Sequence, residues 1–150
     1  MIYWIFDLDN TLYQGNLESY NQLNCAPNLK KLITSLPGKK ILFTNGTFCH
    51  AKSCLIAMNL HCFDIIISRD MINDLKPNFS SYLKMIKMCR INPEDKCIFF
   101  EDTIINLIEA RRFNWVTVLV NPIIVNNVNV NYSFSNIYIA LKYFLKIINQ

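Results

Sequence analysis

Short apolar runs that end in polar or acidic residues recur along this chain, and this alternation constrains its fold more than any other feature. Three such runs are Met1–Phe6 before Asp7 and Asp9, Ile41–Phe43 before Thr44, Asn45 and Gly46, and Cys97–Phe100 before Glu101 and Asp102. Patterns typical of amphipathic helices lie between the runs, which favours βαβ units. The sequence therefore predicts an α/β fold, a Rossmann-like three-layer sandwich around a central parallel sheet.

Further elements can be placed from turn residues and from apolar spacing. A helix is predicted after Pro27, ending before Pro37 and Gly38, and others are predicted after Thr47 and after Pro77. Thr103 is predicted to cap a helix that ends near Asn114. The remaining predictions are strands at Asp64–Ser68, Trp115–Val120 and Val130–Phe134, a loop over 121–131, and a final helix with Tyr138, Leu141, Leu145 and Ile148 on one face.

The first acidic pair combines charge crowding with a position that favours ligand binding. Along a strand Asp7 and Asp9 lie on the same side, while Leu8 faces the other way. The carboxyl edge of a parallel sheet is where ligands bind in open α/β folds. Two acids crowded there repel each other, so they need a cation, a shared proton, or both. Taken by itself, the segment also fits a solvated turn after a strand.

The other motifs each have a plain structural interpretation as well. Glu101 and Asp102 suit the start of a helix, where the dipole favours acids. Asn45-Gly46 is a common turn pair, and Lys76 before Pro77 fits a solvated lysine at a helix start. Each motif alone is a weak signal, and only the four motifs together, in this order along the chain, are specific.

The set DxDxT, Thr-Asn-Gly, Lys-Pro and Glu-Asp resembles the haloacid dehalogenase (HAD) superfamily of phosphotransferases and phosphatases from residue 2 to about residue 120. The string FDLDNTLY is similar to the pyrimidine 5'-nucleotidase-like branch of that superfamily.

The resemblance implies catalytic roles for the acids. Asp7 would be the nucleophile that forms an aspartyl phosphate. Asp9 would protonate the leaving oxygen and later activate water, and a shared site separates the pKa values of such a pair. Mg²⁺, which prefers oxygen ligands, would be held by Asp7, the backbone carbonyl of Asp9 and Asp102. Glu101 would act on the metal directly or through water.

The resemblance also implies a phosphate site. Thr44 would hydrogen-bond a phosphate oxygen, helped by the backbone N–H groups of Asn45 and Gly46. Lys76 would act in catalysis by neutralising both the phosphate and the charge of Asp7. Thr11 is expected to order the loop after Asp7.

The chain lacks room for the helical cap that many relatives insert between the first and second motifs. Residues 12–43 already hold a loop and a helix, so the resemblance implies a HAD core without a sizeable cap. Such members often act on phosphoproteins or nucleic-acid ends, or pair with a homo-oligomer partner that covers the site. The segment Tyr13–Tyr20 is expected to form a small flap. The alternatives are thus a small-molecule phosphomonoesterase, a phosphatase for macromolecular substrates, and a non-catalytic binding domain of the same fold.

Length and composition bound these alternatives. With 150 residues, the chain is expected to form a single domain, 1–150. No apolar run approaches the roughly 20 residues that span a bilayer, so no membrane partner is expected. The formal charge of +4 favours anionic substrates, but the scattered lysines are no nucleic-acid signature.

The six cysteines contain no CxxC pair, and we expect them to be reduced, in a cytoplasmic protein. A zinc hypothesis for Cys49-His50 and His61-Cys62 is disfavoured because their spacing fits no usual structural zinc site.

Overall fold

The six predicted strands form one parallel sheet in the computed structural model, which describes residues 1–150. Their bounds are β1 (Ile2–Phe6), β2 (Lys39–Phe43), β3 (Ile65–Ile67), β4 (Lys96–Glu101), β5 (Val116–Val120) and β6 (Tyr132–Phe134). The strand order is β3-β2-β1-β4-β5-β6, and every neighbouring pair is parallel. This is the doubly wound arrangement, in which the order reverses between β1 and β4 and leaves a crevice at their carboxyl ends.

Helices cover both faces of the sheet and complete the three predicted layers. Their bounds are α1 (Pro27–Thr34), α2 (Phe48–Met58), α3 (Arg69–Ile72), α4 (Phe79–Cys89), α5 (Ile104–Arg111) and α6 (Ile137–Ile148), with a short 3-10 turn at Tyr20–Gln22. Helices α1, α2 and α6 pack on one face, and α3, α4 and α5 on the other. The short helix α3 was not predicted. No helix has the length and apolar character to cross a membrane.

The core consists of two apolar layers, one on each face of the sheet. Successive strand residues alternate between them: Phe6 and Phe100 face the α1, α2 and α6 layer, whereas Ile5 and Phe99 face the other. The rings of Phe6 and Phe100 stack with their centroids 4.8 Å apart. Because β1 and β4 are buried on both faces, the last residues of these strands are held rigidly at the carboxyl edge.

Two local predictions need correction. Thr103 precedes α5 but makes no side-chain cap, and the N–H of Asn106, which a capping hydroxyl could accept, donates to the backbone carbonyl of Thr103 at 3.1 Å instead. On α6 the buried residues are Ile137, Ala140, Leu141 and Phe144. The predicted face was shifted because α6 packs against α1 as well as the sheet, so that Tyr138 and Leu145 lie half-buried beside α1.

The chain between β1 and β2 holds only a loop, the 3-10 turn and α1. No further domain is inserted there or between β2 and β4, as the length of these segments predicted. The carboxyl edge of the sheet is therefore covered by nothing larger than loops.

Candidate functional site

Asp7 lies at the carboxyl end of β1, at the point where the strand order reverses. Its backbone N–H donates to the carbonyl of Phe100 at 2.9 Å, which fixes it between β1 and β4. Its side chain is held by two donors: the hydroxyl of Thr11 at 3.0 Å from Oδ2 and the ammonium of Lys76 at 3.0 Å from Oδ1. Asp7 is only 7% exposed. Thr11, expected to order the loop, thus contacts the carboxylate itself.

Lys76 is buried and donates to three acceptors. Its Nζ lies 3.0 Å from Asp7 Oδ1, 2.9 Å from Glu101 Oε2 and 2.7 Å from the carbonyl of Phe43. An ammonium has three donors, so this set occupies all of them. The predicted neutralisation of the Asp7 charge therefore has a direct contact, whereas contact between Lys76 and a phosphate stays a prediction.

The residue after Thr44 holds Lys76 in place. The amide of Asn45 donates to the backbone carbonyl of Lys76 at 2.9 Å and accepts from its backbone N–H at 2.8 Å. This two-way clamp joins the end of β2 to the segment before α4. The sequence had predicted a role for the backbone of Asn45 and not for its side chain.

The backbone donors near Thr44 differ from the prediction. The N–H of Gly46 donates to Thr44 Oγ1 at 3.0 Å, so within the protein it already has an acceptor. The N–H groups of Asn45 and Leu8 have no hydrogen-bond acceptor in the protein. These two donors follow β2 and β1 at the carboxyl edge of the sheet, and together with the N–H of Asp9, which also has no acceptor in the protein, they are available to a ligand.

The three acids at the ends of β1 and β4 lie close together. One carboxylate oxygen from each of Asp7, Glu101 and Asp102 lies within 4.8 Å of the other two. Glu101 is 1% exposed. Besides Lys76 and two backbone N–H groups, it accepts from the amide of Asn106 at 3.1 Å. Since a carboxylate has about four acceptor positions, Glu101 is largely engaged as the counter-ion of Lys76.

The three acids carry more negative charge than the single ammonium of Lys76 can balance. Burial, and then the charge of Glu101, raise the pKa of Asp7 to about 7, although Lys76 opposes this shift. Burial also raises the pKa values of Glu101 and Asp102. Burial disfavours the charged form of Lys76, but Asp7 and Glu101 outweigh it and raise its pKa. Three acids facing one ammonium create a site that a divalent cation would balance, and all its donors are the oxygens that Mg²⁺ prefers.

Asp9 is separate from this group. Strand β1 ends at Phe6, and Asn10 takes a left-handed φ of 60°, so the strand alternation that predicted Asp7 and Asp9 on one side does not extend through the segment. The Asp9 carboxylate is half-exposed, and its Oδ1 accepts from the hydroxyl of Tyr13 and lies 2.7 Å from His50 Nε2. The structure thus brings Asp7, Lys76, Glu101 and Asp102 together but places the carboxylate of Asp9 in a neighbouring cluster.

Solved structures with the same arrangement establish the fold. No protein-family model matches the sequence. The L-2-haloacid dehalogenase from Xanthobacter autotrophicus, with chloropropionic acid covalently bound, superimposes with a TM-score of 0.68 over 87% of this chain, at 16% identity. The chain has the core fold of the haloacid dehalogenase superfamily.

Two further similar structures are named as a HAD phosphatase and as a HAD-hydrolase. The HAD phosphatase from Thermococcus onnurineus matches 81% of this chain with a TM-score of 0.65 and 20% identity. The HAD-hydrolase YfnB from Bacillus subtilis, bound to magnesium, matches 83% with a TM-score of 0.68 and 16% identity. This chain spans 63% of the dehalogenase and 55% of each of the other two. At these identities the similarity extends to the HAD fold and does not decide between dehalogenase and phosphatase chemistry.

Several side chains of the HAD core in this protein were missed by sequence reasoning. His50 and Cys54 are one helical turn apart on α2, and both lie beside Asp9. Tyr20 reaches the other ring nitrogen of His50, with its hydroxyl 2.9 Å from Nδ1. The i, i+4 spacing of the histidine and the cysteine after the Thr47 cap was the one available signal; Tyr13 and Tyr20 fall in the predicted flap but gave no indication of their partners.

Proposed function

We propose that the protein is a Mg²⁺-dependent phosphomonoester hydrolase that works through an aspartyl phosphate on Asp7. The observation that carries this proposal is the buried Asp7 carboxylate, held by Thr11 and Lys76 within a group of three acids. A buried carboxylate fixed at both oxygens is oriented for attack. The excess of negative charge around it is what a divalent cation would neutralise before a phosphate could enter.

Asp7, Asp102 and the backbone carbonyl of Asp9 are the groups that would hold the Mg²⁺. Bound there, the ion would supply charge neutralisation for a phosphoryl group. Glu101, with four hydrogen bonds of its own, instead keeps Lys76 charged and aimed at Asp7. The free N–H groups of Leu8 and Asn45 would donate to phosphate oxygens.

The two half-reactions use the two aspartates in turn. An oxygen of Asp7 forms a bond to phosphorus while the ester bond to the leaving alcohol breaks, and Asp9 gives that alcohol a proton. Asp9, now ionised, takes a proton from water, whose oxygen attacks the phosphorus. The bond between Asp7 and phosphorus then breaks, releasing inorganic phosphate and restoring both carboxyl groups. His50 and Tyr13 hold Asp9 during this exchange.

Dehalogenation is the second candidate because several structural neighbours are dehalogenases. A halide leaves without a proton, so that reaction has no need of a second acid such as Asp9. A haloacid and a phosphate ester are both anions, so repulsion by Asp7, Glu101 and Asp102 does not distinguish between them. The presence of Asp9 as a proton donor for a leaving alcohol is what favours phosphate over haloacid.

The open edge favours large substrates as well as small ones. No inserted domain covers the site, and Asp9 and His50 are part-exposed. A phosphoprotein or a nucleic-acid 5' or 3' phosphate is the macromolecular alternative, and a homo-oligomer partner is another way to close the site. The six free thiols suit a cytoplasmic setting.

A panel of phosphomonoesters, phosphopeptides and 2-haloacids, each with and without Mg²⁺, tests the proposal. Phosphate release that requires Mg²⁺ and disappears in Asp7→Asn is expected. Halide release without phosphate release would replace the proposal with the dehalogenase alternative. Absence of both in the presence of Mg²⁺ would leave the binding-domain alternative.

A further inference from the structure

Next to the all-oxygen group lies a second cluster with three different ligand types. His50 Nε2 is 2.7 Å from Asp9 Oδ1 and 3.7 Å from Cys54 Sγ. The three ligand atoms all lie within 4.8 Å of one another. Thr47 caps α2 by accepting the N–H of His50, so the histidine is fixed in the first turn and Cys54 follows one turn later.

Two separations within this cluster are close to those around a tetrahedral metal ion, and the third, between Asp9 and Cys54, is within 4.8 Å. Zinc binds carboxylate and imidazole at about 2.0–2.2 Å and thiolate at about 2.3 Å, so neighbouring ligand atoms on a tetrahedron lie about 3.3–3.8 Å apart. The gap between sulfur and nitrogen already has this value, and the gap between oxygen and nitrogen needs to open by about half an ångström. The Tyr13 hydroxyl donates to Asp9 Oδ1 at the same cluster.

We propose that Asp9, His50 and Cys54 form a Zn²⁺ site, and that Zn²⁺ bound there inhibits the enzyme. Thiolate and imidazole select zinc over magnesium, whereas the carboxylates around Asp7 select magnesium. The two ions therefore occupy different clusters. Zinc replaces the thiol proton of Cys54 and the hydrogen bond between His50 and Asp9.

The inhibition, unlike the binding, rests on the proposed function. The carboxylate of Asp9 would be tied to zinc and lost to proton transfer, so turnover would stop while Mg²⁺ stayed in place. Zinc binding itself needs no substrate, and the two parts can be measured separately.

Binding is tested with Co²⁺, a spectroscopic substitute for zinc, added to the full chain in excess Mg²⁺. We expect a thiolate-to-cobalt charge-transfer band that Zn²⁺ abolishes at one equivalent. Cys54→Ser and His50→Ala should each lose the band and weaken Zn²⁺ binding at least about tenfold. Cys49→Ser, an exposed neighbour on α2, and Cys89→Ser, a buried cysteine on α4, are the matched controls and should keep it. A band retained in both Cys54→Ser and His50→Ala, or no band in the wild type, would overturn the site.

Inhibition is tested by titrating Zn²⁺ at several Mg²⁺ concentrations, with each variant compared to its own zinc-free rate. Inhibition that is unchanged by Mg²⁺ and relieved in Cys54→Ser is expected. If excess Mg²⁺ removes it, zinc acts at Asp7 and the inhibitory role is wrong. If no phosphate ester is turned over at all, the proposed function fails, whereas the cobalt band still decides the metal site.

Discussion

The two aspartates of the first motif, only two residues apart, belong to clusters built in different ways. Asp7 is buried and is bound by groups that strands and their following loops deliver to one edge of the sheet. Asp9 is half-exposed and is bound by side chains from α2 and from the loop after β1. The Asp7 cluster thus depends on sheet topology, and the Asp9 cluster depends on helix placement and on a loop.

This difference predicts how each cluster responds to change. Losing a partner of Asp7 leaves a charge buried without compensation, which costs stability. Losing a partner of Asp9 exposes a carboxylate that water can solvate, so the cost should fall on proton transfer and hardly on folding. Mutations in the two clusters should therefore separate stability from activity.

The largest effect is expected from Asp7→Asn. Without the nucleophile, phosphate release should fall by at least about a thousandfold. The neutral amide relieves repulsion with Glu101 and Asp102, so the free energy of unfolding should hold or rise. Steady-state phosphate release and urea denaturation measure the two quantities.

Asp9→Asn is the matched change in the other cluster. It should also slow turnover strongly, because the leaving alcohol loses its proton donor, but it should leave the first chemical step detectable with a substrate whose leaving group needs no proton. If Asp7→Asn hydrolyses phosphate esters at a near-normal rate, Asp7 is not the nucleophile, and the proposed difference between the Asp7 and Asp9 clusters is wrong.

Lys76→Met should produce the largest loss of stability. It leaves Asp7 and Glu101 as buried acids without their shared cation, which costs about 3–5 kcal/mol. The double variant Lys76→Met with Glu101→Gln removes one of the stranded charges and should recover part of the loss. Equal stability of the single and the double variant, measured by urea denaturation, would show that Glu101 is not the counter-ion of Lys76.

The pH dependence of the free energy of unfolding should reveal the buried Asp7 carboxyl. Burial raises the pKa of Asp7 from 3.8 to about 7, so the folded state retains this proton after the unfolded state has lost it. The contribution of the Asp7 carboxyl to the free energy of unfolding therefore falls as the pH rises from about 4 to about 7. In metal-free buffer, the free energy of unfolding of Asp7→Asn should therefore rise relative to that of the wild type by up to a few kcal/mol across that range.

Mg²⁺ should reduce this gain because it compensates the ionised group. Parallel curves for the wild type and Asp7→Asn between pH 4 and pH 7 would contradict the burial of an unbalanced charge.

The contrast between the clusters also explains what the sequence could predict. The apolar runs predicted the parallel sheet, and the ordered motifs, through their resemblance to the HAD superfamily, predicted Asp7, Thr44, Lys76 and Asp102 at one edge. This worked because parallel strands carry their last residues to the same edge, whatever the details of packing. The motifs indicated a HAD core by resemblance, and the segment lengths then predicted that it has no sizeable cap.

The partners of each side chain could not be predicted in the same way. Asn45 was expected to act through its backbone, yet its amide clamps Lys76, which lies 31 residues further along the chain. The contact between His50 and Asp9 depends on how α2 is set against the end of β1. Such contacts depend on tertiary packing, which cannot be inferred from hydrophobic periodicity or from secondary-structure propensity.

His50→Ala should slow turnover about tenfold to a hundredfold without much loss of stability. Asp9 would lose the imidazole that orients it, and misplaced proton donors cost about this much. Because His50 is part-exposed, the free energy of unfolding should change by no more than about 1 kcal/mol. The rate constant should fall while KM stays nearly constant, since phosphate contacts are unaffected. A change confined to KM would place His50 in substrate binding instead.

The smallest effect is expected from Tyr20→Phe, which tests how far the Asp9 cluster extends. The hydroxyl lies 2.9 Å from His50 Nδ1, and the two rings are 5.6 Å apart, so phenylalanine keeps the ring packing and removes one hydrogen bond. Such a bond contributes about 1 kcal/mol, which corresponds to a rate reduction of about fivefold if all of it serves to orient His50. In a His50→Ala background the same change should have no further effect on the rate, because the tyrosine acts only through the imidazole. Additive losses in the double variant would show that Tyr20 reaches the substrate by another route, as part of the flap.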